Sequence, residues 1–224
     1  MAITESNNDL EKEKELAIKE AKEIVLDILK KHLTGKYFDE SYVKTWGDNI
    51  IQEIEEELKE TCQAYGFVIF FYMSDTTAFV SDHRCVNYKK TDMCFLVPFH
   101  TDDFYSEVRI MLTKIHKKMD NFLDYINPEV SLKIHQKMVA HLDRRKFIYD
   151  KMGGILDDIA DNINDILLDN DNFPCSYNIC YINKIPTKGL YFTYKVSRLD
   201  YSPIFSTFAT PTLACRSYLF MLNN

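Results

Sequence analysis

The chain of 224 residues carries 27 lysines and arginines against 34 acidic residues, a formal net charge of −7, and this balance excludes the basic surface that general nucleic-acid binding requires. With 46% hydrophobic and 13% aromatic residues and only 6 glycines, it has the material for a packed core and is not a disordered chain. No apolar run approaches the roughly 20 residues that cross a bilayer, and the N-terminus is polar and acidic rather than a signal peptide, so a soluble intracellular protein with no membrane partner is expected.

Residues 1–8 are polar and read as frayed, and from Asp9 to about Leu33 an apolar stripe of Ala17, Ala21, Ile24, Val25, Ile28 and Leu29 predicts a first helix, which Gly35 ends. Asp39 or Ser41 suits the start of a second helix. Val43, Trp46, Ile50, Ile54 and Leu58 line its core face, and Glu53, Glu55, Glu56, Glu57 and Glu60 read as its solvated face. Trp46, the only tryptophan, is expected to anchor that helix in the core. Strands follow over 66–73, over Ala78–Val80 with Cys85–Val86, over Met93–Val97 and over Tyr105–Ile115, with a loop over 87–92. In the last of these, Val108, Ile110 and Leu112 share one face, and Arg109, Met111 and Thr113 the other.

A short connecting helix is expected over 117–126, and Asn127-Pro128 starts the next, over about 129–146, with Ile134, Met138, Val139 and Leu142 apolar. A further helix over about 149–169 uses Met152, Leu156, Ile159, Ile163 and Leu167. Four strands near 176–184, 189–198, 202–209 and 213–222 close the chain.

The second half echoes the first. Ile159, Ile163 and Leu167 follow Ile50, Ile54 and Leu58 by 109 positions, and Tyr177, Ile179 and Tyr181 follow Phe67, Ile69 and Phe71 by 110. At the offset of 110, Phe205 answers Phe95, Phe220-Met221-Leu222 answers Ile110-Met111-Leu112, and Leu156 stands where the tryptophan was. The expected fold is α+β: two copies of a unit of two helices and a four-stranded antiparallel sheet, spanning 9–115 and 129–224 with 116–128 connecting them. Residues 1–112 carry a net charge of −9 and residues 113–224 one of +2, which fits halves that dock on each other or acidic solvated helix faces.

A search for chemistry finds no Gly-rich phosphate loop, no nucleophile with its base and no paired carboxylates in a recognisable context. His83 and Cys85 share a strand face, and His100 lies near Asp102 and Asp103, a trio that suits a polar turn better than a metal. His135 and His141 are six apart, which puts them on different faces of a helix. The cysteines, Cys62, Cys85, Cys94, Cys175, Cys180 and Cys215, lack CxxC spacing and read as free thiols. No catalytic residue, metal site or cofactor is assigned, and no enzyme is expected. The alternative, a two-lobed enzyme or ligand-binding regulatory protein, would need a site between the repeats lined by His83, His100, Asp102 and Asp103.

Two helices followed by four strands, with Tyr42-Val43-Lys44-Thr45-Trp46 opening the second helix and Phe67-Val68-Ile69-Phe70-Phe71-Tyr72-Met73 as the first strand, resemble the Tctex-type dynein light chains over residues 9–115. Through the internal repeat the resemblance extends to about 129–222. It implies a non-catalytic adaptor or structural subunit of a dynein or ciliary axonemal complex, found in the cytoplasm and cytoskeleton and in the cilium or flagellum axoneme. The implied partners are a dynein intermediate chain or other axonemal subunits, and other dynein light chains. Single domains of that family dimerise by strand exchange, so two fused copies would form an intramolecular pseudo-dimer with no need to homodimerise. The resemblance also implies that extended partner segments bind at sheet edges. Met93, Phe95 and Val97 and, in the second copy, Ile204, Ser206 and Phe208 are the candidate edges, and Pro98 and Pro203 mark those edges or interrupt their grooves.

Overall fold

A computed structural model describes residues 2–75, 79–86, 92–114, 128–168, 176–184 and 191–223. The elements run α1 (Ala2–Leu33), α2 (Glu40–Thr61), β1 (Tyr65–Asp75), β2 (Phe79–Val86), β3 (Met93–His100), β4 (Phe104–Lys114), α3 (Pro128–Leu142), α4 (Tyr149–Leu168), β5 (Ser176–Lys184), β6 (Tyr191–Ser197), β7 (Asp200–Ala209) and β8 (Leu213–Asn223). The helix expected from Asp9 begins at Ala2. The connecting helix expected over 117–126 and, apart from Asp92, the loop expected over 87–92 lie outside the described residues.

The local signals act as the sequence suggests. Asp39 caps α2, its carboxylate accepting from Ser41 N–H at 2.9 Å, and Gly35 takes the left-handed conformation after α1 with φ 74°. Val43, Ile50, Ile54 and Leu58 are buried beneath α2 against Val25 and Leu29 of α1 and Phe67, Ile69 and Phe71 of β1. A second core gathers Ile134 and Met138 of α3, Leu156, Ile159 and Ile163 of α4 and Cys180 and Ile182 of β5.

Each sheet is antiparallel and has four strands, in the orders β3-β4-β1-β6 and β2-β5-β8-β7. The chain thus divides into two compact units: residues 1–75, 90–115 and 189–198 form one, and residues 76–89, 116–188 and 199–224 the other. Each takes three strands from one half of the sequence and one from the other, so β2 and β6 are exchanged. In the first unit β6 pairs with β1 from Phe67↔Ser197 to Met73↔Tyr191. In the second, β2 pairs with β5 from Phe79↔Asn183 to Val86↔Ser176.

Strand register corrects the sequence alignment of the halves. Ile69 faces Ile110 across β1 and β4, and Asn178 faces Leu219 across β5 and β8; both are separated by 109 residues from their counterparts. The same 109 relates Val25 to Ile134 and Leu29 to Met138, all core residues. It relates Gly35, φ 74°, to Arg144, φ 62°, and Phe95 to Ile204, both buried. The offset of 110 expected for the strands therefore slips by one residue, and a one-residue slip turns every side chain to the opposite face. Tyr177, Ile179 and Tyr181 answer Val68, Phe70 and Tyr72, not Phe67, Ile69 and Phe71. The buried Phe95 is answered by Ile204 rather than by Phe205, which is exposed, and Trp46 by half-buried Ile155 rather than by buried Leu156. The two exchanged strands differ from this by two residues, which preserves their faces: Ser81 faces Tyr181 as Phe192 faces Tyr72.

The exchanged strand β6 is latched along α2. Tyr191 lies against Gly47 and its hydroxyl donates to Asp48 at 2.8 Å. Lys195 reaches Glu55 at 3.3 Å, beside Lys59 at 2.7 Å. Arg198 donates to the carbonyls of Lys59 at 2.9 Å and Gln63 at 3.2 Å, closing the C-terminal end of the helix. Part of the expected solvated face is therefore engaged. Glu55 is buried under β6, and Glu53 accepts from Lys31 at 2.7 Å and meets His32 at 2.8 Å. Trp46 is half-buried, packed on the core with Tyr42 stacked at 6.1 Å and Lys36 Nζ 4.7 Å from the ring centroid.

These contacts set two expectations for stability. A Cβ at Gly47 would overlap Tyr191 Cε1 and stand 2.9 Å from Tyr191 Cδ1 and 3.1 Å from Phe71 Cδ1. Gly47→Ala, although it favours helix, is expected to lower stability by about 1–3 kcal/mol in urea unfolding through overpacking. Gly154→Ala, with open space around its Cβ, should raise stability by up to about 1 kcal/mol. A Gly47→Ala chain as stable as the unsubstituted one would mean that Tyr191 does not hold its place.

The second expectation concerns acid. Burial pushes the Glu55 carboxyl up, but hydrogen bonds from Lys59, Ser197 and Lys195 outweigh it, and the net shift is below the usual 4.5. Hydrogen bonds from Lys31 and His32 lower Glu53 likewise. Carboxyls whose folded values are depressed contribute fully above the unfolded value and lose that contribution as pH falls through the folded one. The urea midpoint should therefore drop as pH falls below 4.5, and Glu55→Gln should make that drop shallower. An acid profile unchanged by Glu55→Gln would remove Glu55 from the latch.

Candidate peptide-binding edges

β3 and β7 are terminal strands in their sheets. Their hairpins with β4 and β8 close alike: Thr101 N–H donates to Phe104 O at 3.0 Å, and Thr210 N–H to Leu213 O at 2.8 Å. The threonine hydroxyls accept from Phe104 and Leu213 N–H at 3.0 and 3.2 Å, fixing both turns. Antiparallel pairs alternate between residues that exchange backbone hydrogen bonds and residues that turn those groups away. From these turns, Met93, Phe95, Val97 and Phe99 bond to β4, while Leu96 and Pro98 turn their backbone outward. In β7, Ile204, Ser206 and Phe208 bond to β8, and Pro203, Phe205 and Thr207 turn outward.

The candidate residues named from sequence therefore sit on edge strands but face inward. Met93, Phe95 and Val97 are 1%, 5% and 5% exposed and belong to the first core, and Ile204 and Ser206 are buried with half-buried Phe208 beside them. The backbone groups turned outward belong to the intervening positions, such as Leu96, Phe205 and Thr207, which lie within the strand stretches read as edges from the sequence. The signal was present in the turns at Thr101 and Thr210, from which the parity follows by counting. Both prolines stand at outward positions, where the missing N–H costs no ladder bond.

Beside Leu96 and Pro98 runs a groove of about 510 Å³ between β3 and α1. Ile18, Leu26, Leu96, Val97 and Pro98 supply apolar wall, and Glu15, Lys19, Lys22 and Glu23 project from α1 along its rim. Nothing in the sequence pattern announced it, because it depends on where α1 crosses the strand. Such a site can take an extended segment, with backbone hydrogen bonds to the edge and apolar side chains in the groove.

The remaining chemistry-bearing residues are used structurally. Asp103 accepts from Phe38 N–H and His100 packs on Tyr105 with ring centroids 4.8 Å apart, so the trio at 100–103 is divided among different partners. Among the described residues no group of three or more His, Cys, Asp or Glu could hold a metal ion. The side chains of His83 and Cys85, and all of Cys175, lie outside the described residues. His135 and His141 bond to Thr207 O and Asn162. Cys62, Cys94, Cys180 and Cys215 are free thiols, and burial raises the Cys62 and Cys215 values, which opposes a reactive thiolate. Glu107 pairs with Arg109 and Tyr105 on β4, both ions buried. Among the described residues no helix is long and apolar enough to cross a membrane.

Residues 15–113 match the model of the Tctex-1 family. This part of the chain is similar to the Tctex-type sequences. The matched range runs from α1 to the end of β4, and so includes β2, the strand given to the other unit. The Tctex-type match supports a dynein light chain-like role in general terms, with a cytoskeletal, dynein-associated setting. No curated protein matches the chain.

Removing one partner of a buried ion pair strands the other. Arg109→Ala is therefore expected to cost about 3–5 kcal/mol in urea unfolding, and Arg109→Ala with Glu107→Ala less than Arg109→Ala alone. A loss in the double variant equal to the sum of the losses in Arg109→Ala and Glu107→Ala would show that the pair is not coupled.

Proposed function

We propose that the protein is a non-catalytic dynein light chain-like adaptor that holds an extended segment of a partner as an added strand on β3. The partner is a dynein intermediate chain or another subunit of an axonemal complex, and the setting is the cytoskeleton of the cytoplasm and the cilium. The observation that carries the reading is the outward backbone of Leu96 and Pro98 beside an apolar groove, in a part of the chain that matches the Tctex-1 family. A free edge supplies main-chain hydrogen bonds, and the groove selects side chains.

In this reading the chain is a tandem protein, with sequence units over 9–115 and 129–224 joined by 116–128. Fusion replaces association between two chains by an internal event, with effective concentrations on the order of mM for short linkers. A second copy of the chain is then not needed to complete either sheet.

Fluorescein-labelled peptides tiling a dynein intermediate chain, titrated into the purified chain by anisotropy, test the proposal. At least one peptide should saturate, and Leu96→Pro, which removes an outward N–H without touching the ladder, should weaken it tenfold or more. Failure of every peptide to saturate, or equal binding to Leu96→Pro, would overturn the reading. Sedimentation of the free chain should give the monomer mass.

A further inference from the structure

The two edges are built on the same frame but finished differently. With halves related by 109 residues, Lys22 and Leu26 of α1 answer Ser131 and His135 of α3, and Leu96, Val97 and Pro98 of β3 answer Phe205, Ser206 and Thr207 of β7. In the first unit these five residues line the groove. In the second their counterparts bond to one another. His135 Nδ1 lies 3.1 Å from Thr207 O, and because a carbonyl only accepts, the ring donates from Nδ1. Ser131 Oγ reaches Phe205 O at 3.4 Å and Ser206 Oγ at 3.3 Å, and Ser206 Oγ donates to Ser131 O at 3.0 Å. The His135 ring also meets Phe208 edge-on, with centroids 6.4 Å apart.

The carbonyls so engaged are those of Phe205 and Thr207, the outward positions an added strand would use. A strand arriving at β7 would meet α3 side chains already bonded to both acceptors. At β3 the answering residues do not do this: the side chains of Leu26 and Val97 carry no polar group, Lys22 stands on the groove rim, and α1 reaches this edge through Lys14, which donates to Asp92 O at 3.1 Å, ahead of the groove.

Resting on the proposed function, we infer that the chain accepts one extended partner segment, at β3, and not two. The β7 edge is already occupied by its own helix α3. The occupant of β3 is a polypeptide strand with apolar side chains directed at Leu26 and Leu96, because the groove wall is apolar and its rim carries two acidic and two basic residues, favouring neither sign.

The test uses the full chain and the tightest intermediate-chain peptide of the panel, with stoichiometry from calorimetry and native mass spectrometry. One peptide per chain is expected. Lys22→Ser with Leu26→His, which places the residues of α3 on α1, should weaken binding at least tenfold, with the melting temperature recorded as a control on folding. Thr207→Pro, altering only an outward position of β7, should leave affinity and stoichiometry unchanged. Two peptides per chain, or a loss of affinity in Thr207→Pro, would overturn the inference while leaving the adaptor reading intact. If no peptide saturates, the adaptor reading fails and the inference falls with it.

Discussion

The pairing of β6 with β1 is the interaction on which the first unit depends. β1 is buried from Phe67 to Met73, and without β6 one side of that strand would hold unpaired N–H and C=O groups next to a core. Buried backbone groups left without partners are costly, so neither half of the sequence completes its own sheet. The latch along α2 makes the exchange specific. Gly47 provides the space that Tyr191 fills, Asp48 and Glu55 accept its hydroxyl and the ammonium of Lys195, and Arg198 donates to the carbonyls of Lys59 in the last turn of the helix and of Gln63 just beyond it. The second unit has Leu156 at the position of Gly47, buried in its core.

A frame that repeats at 109 residues, with core positions coinciding from helix to strand, carries surfaces that do not repeat. The groove of the first unit and the hydrogen-bonded seam of the second are built at corresponding residues. Core positions are constrained by packing on all sides, so changes there are felt at once. An edge strand is constrained only by what it must exclude or admit. Fusion of two units in one chain lets the edges diverge independently, which two identical chains in a dimer cannot do.

The polar groups that attract notice in the sequence work as fasteners. The carboxylates of Glu53 and Glu55 hold α1 and β6 to α2, Asp103 holds the backbone of Phe38, and His135 holds β7. In the proposed function the groups offered to a partner are main-chain atoms, which every residue but proline carries in full. A search of the sequence for reactive side chains therefore has little to find at the site.

Helix faces, caps and the succession of elements along the chain were legible in the sequence because they follow from local periodicity: Val43, Ile50, Ile54 and Leu58 recur at helical spacing whatever they pack against, and Asp39 caps the nearest free N–H groups. The family resemblance rested on the same local pattern in residues 42–73. Tertiary structure alone decided which strand pairs with which, because strand exchange depends on residues more than a hundred positions apart, such as Tyr191 and Asp48 or Arg198 and Lys59. It also decided the fate of Glu55, a surface residue by pattern and a buried one under β6. The strand parity that separates Phe95 from Leu96 was countable from the turns, yet an offset wrong by one residue inverted it in the second copy. The groove exists only where α1 crosses the β3 edge, and no periodicity within either element encodes the space left between them.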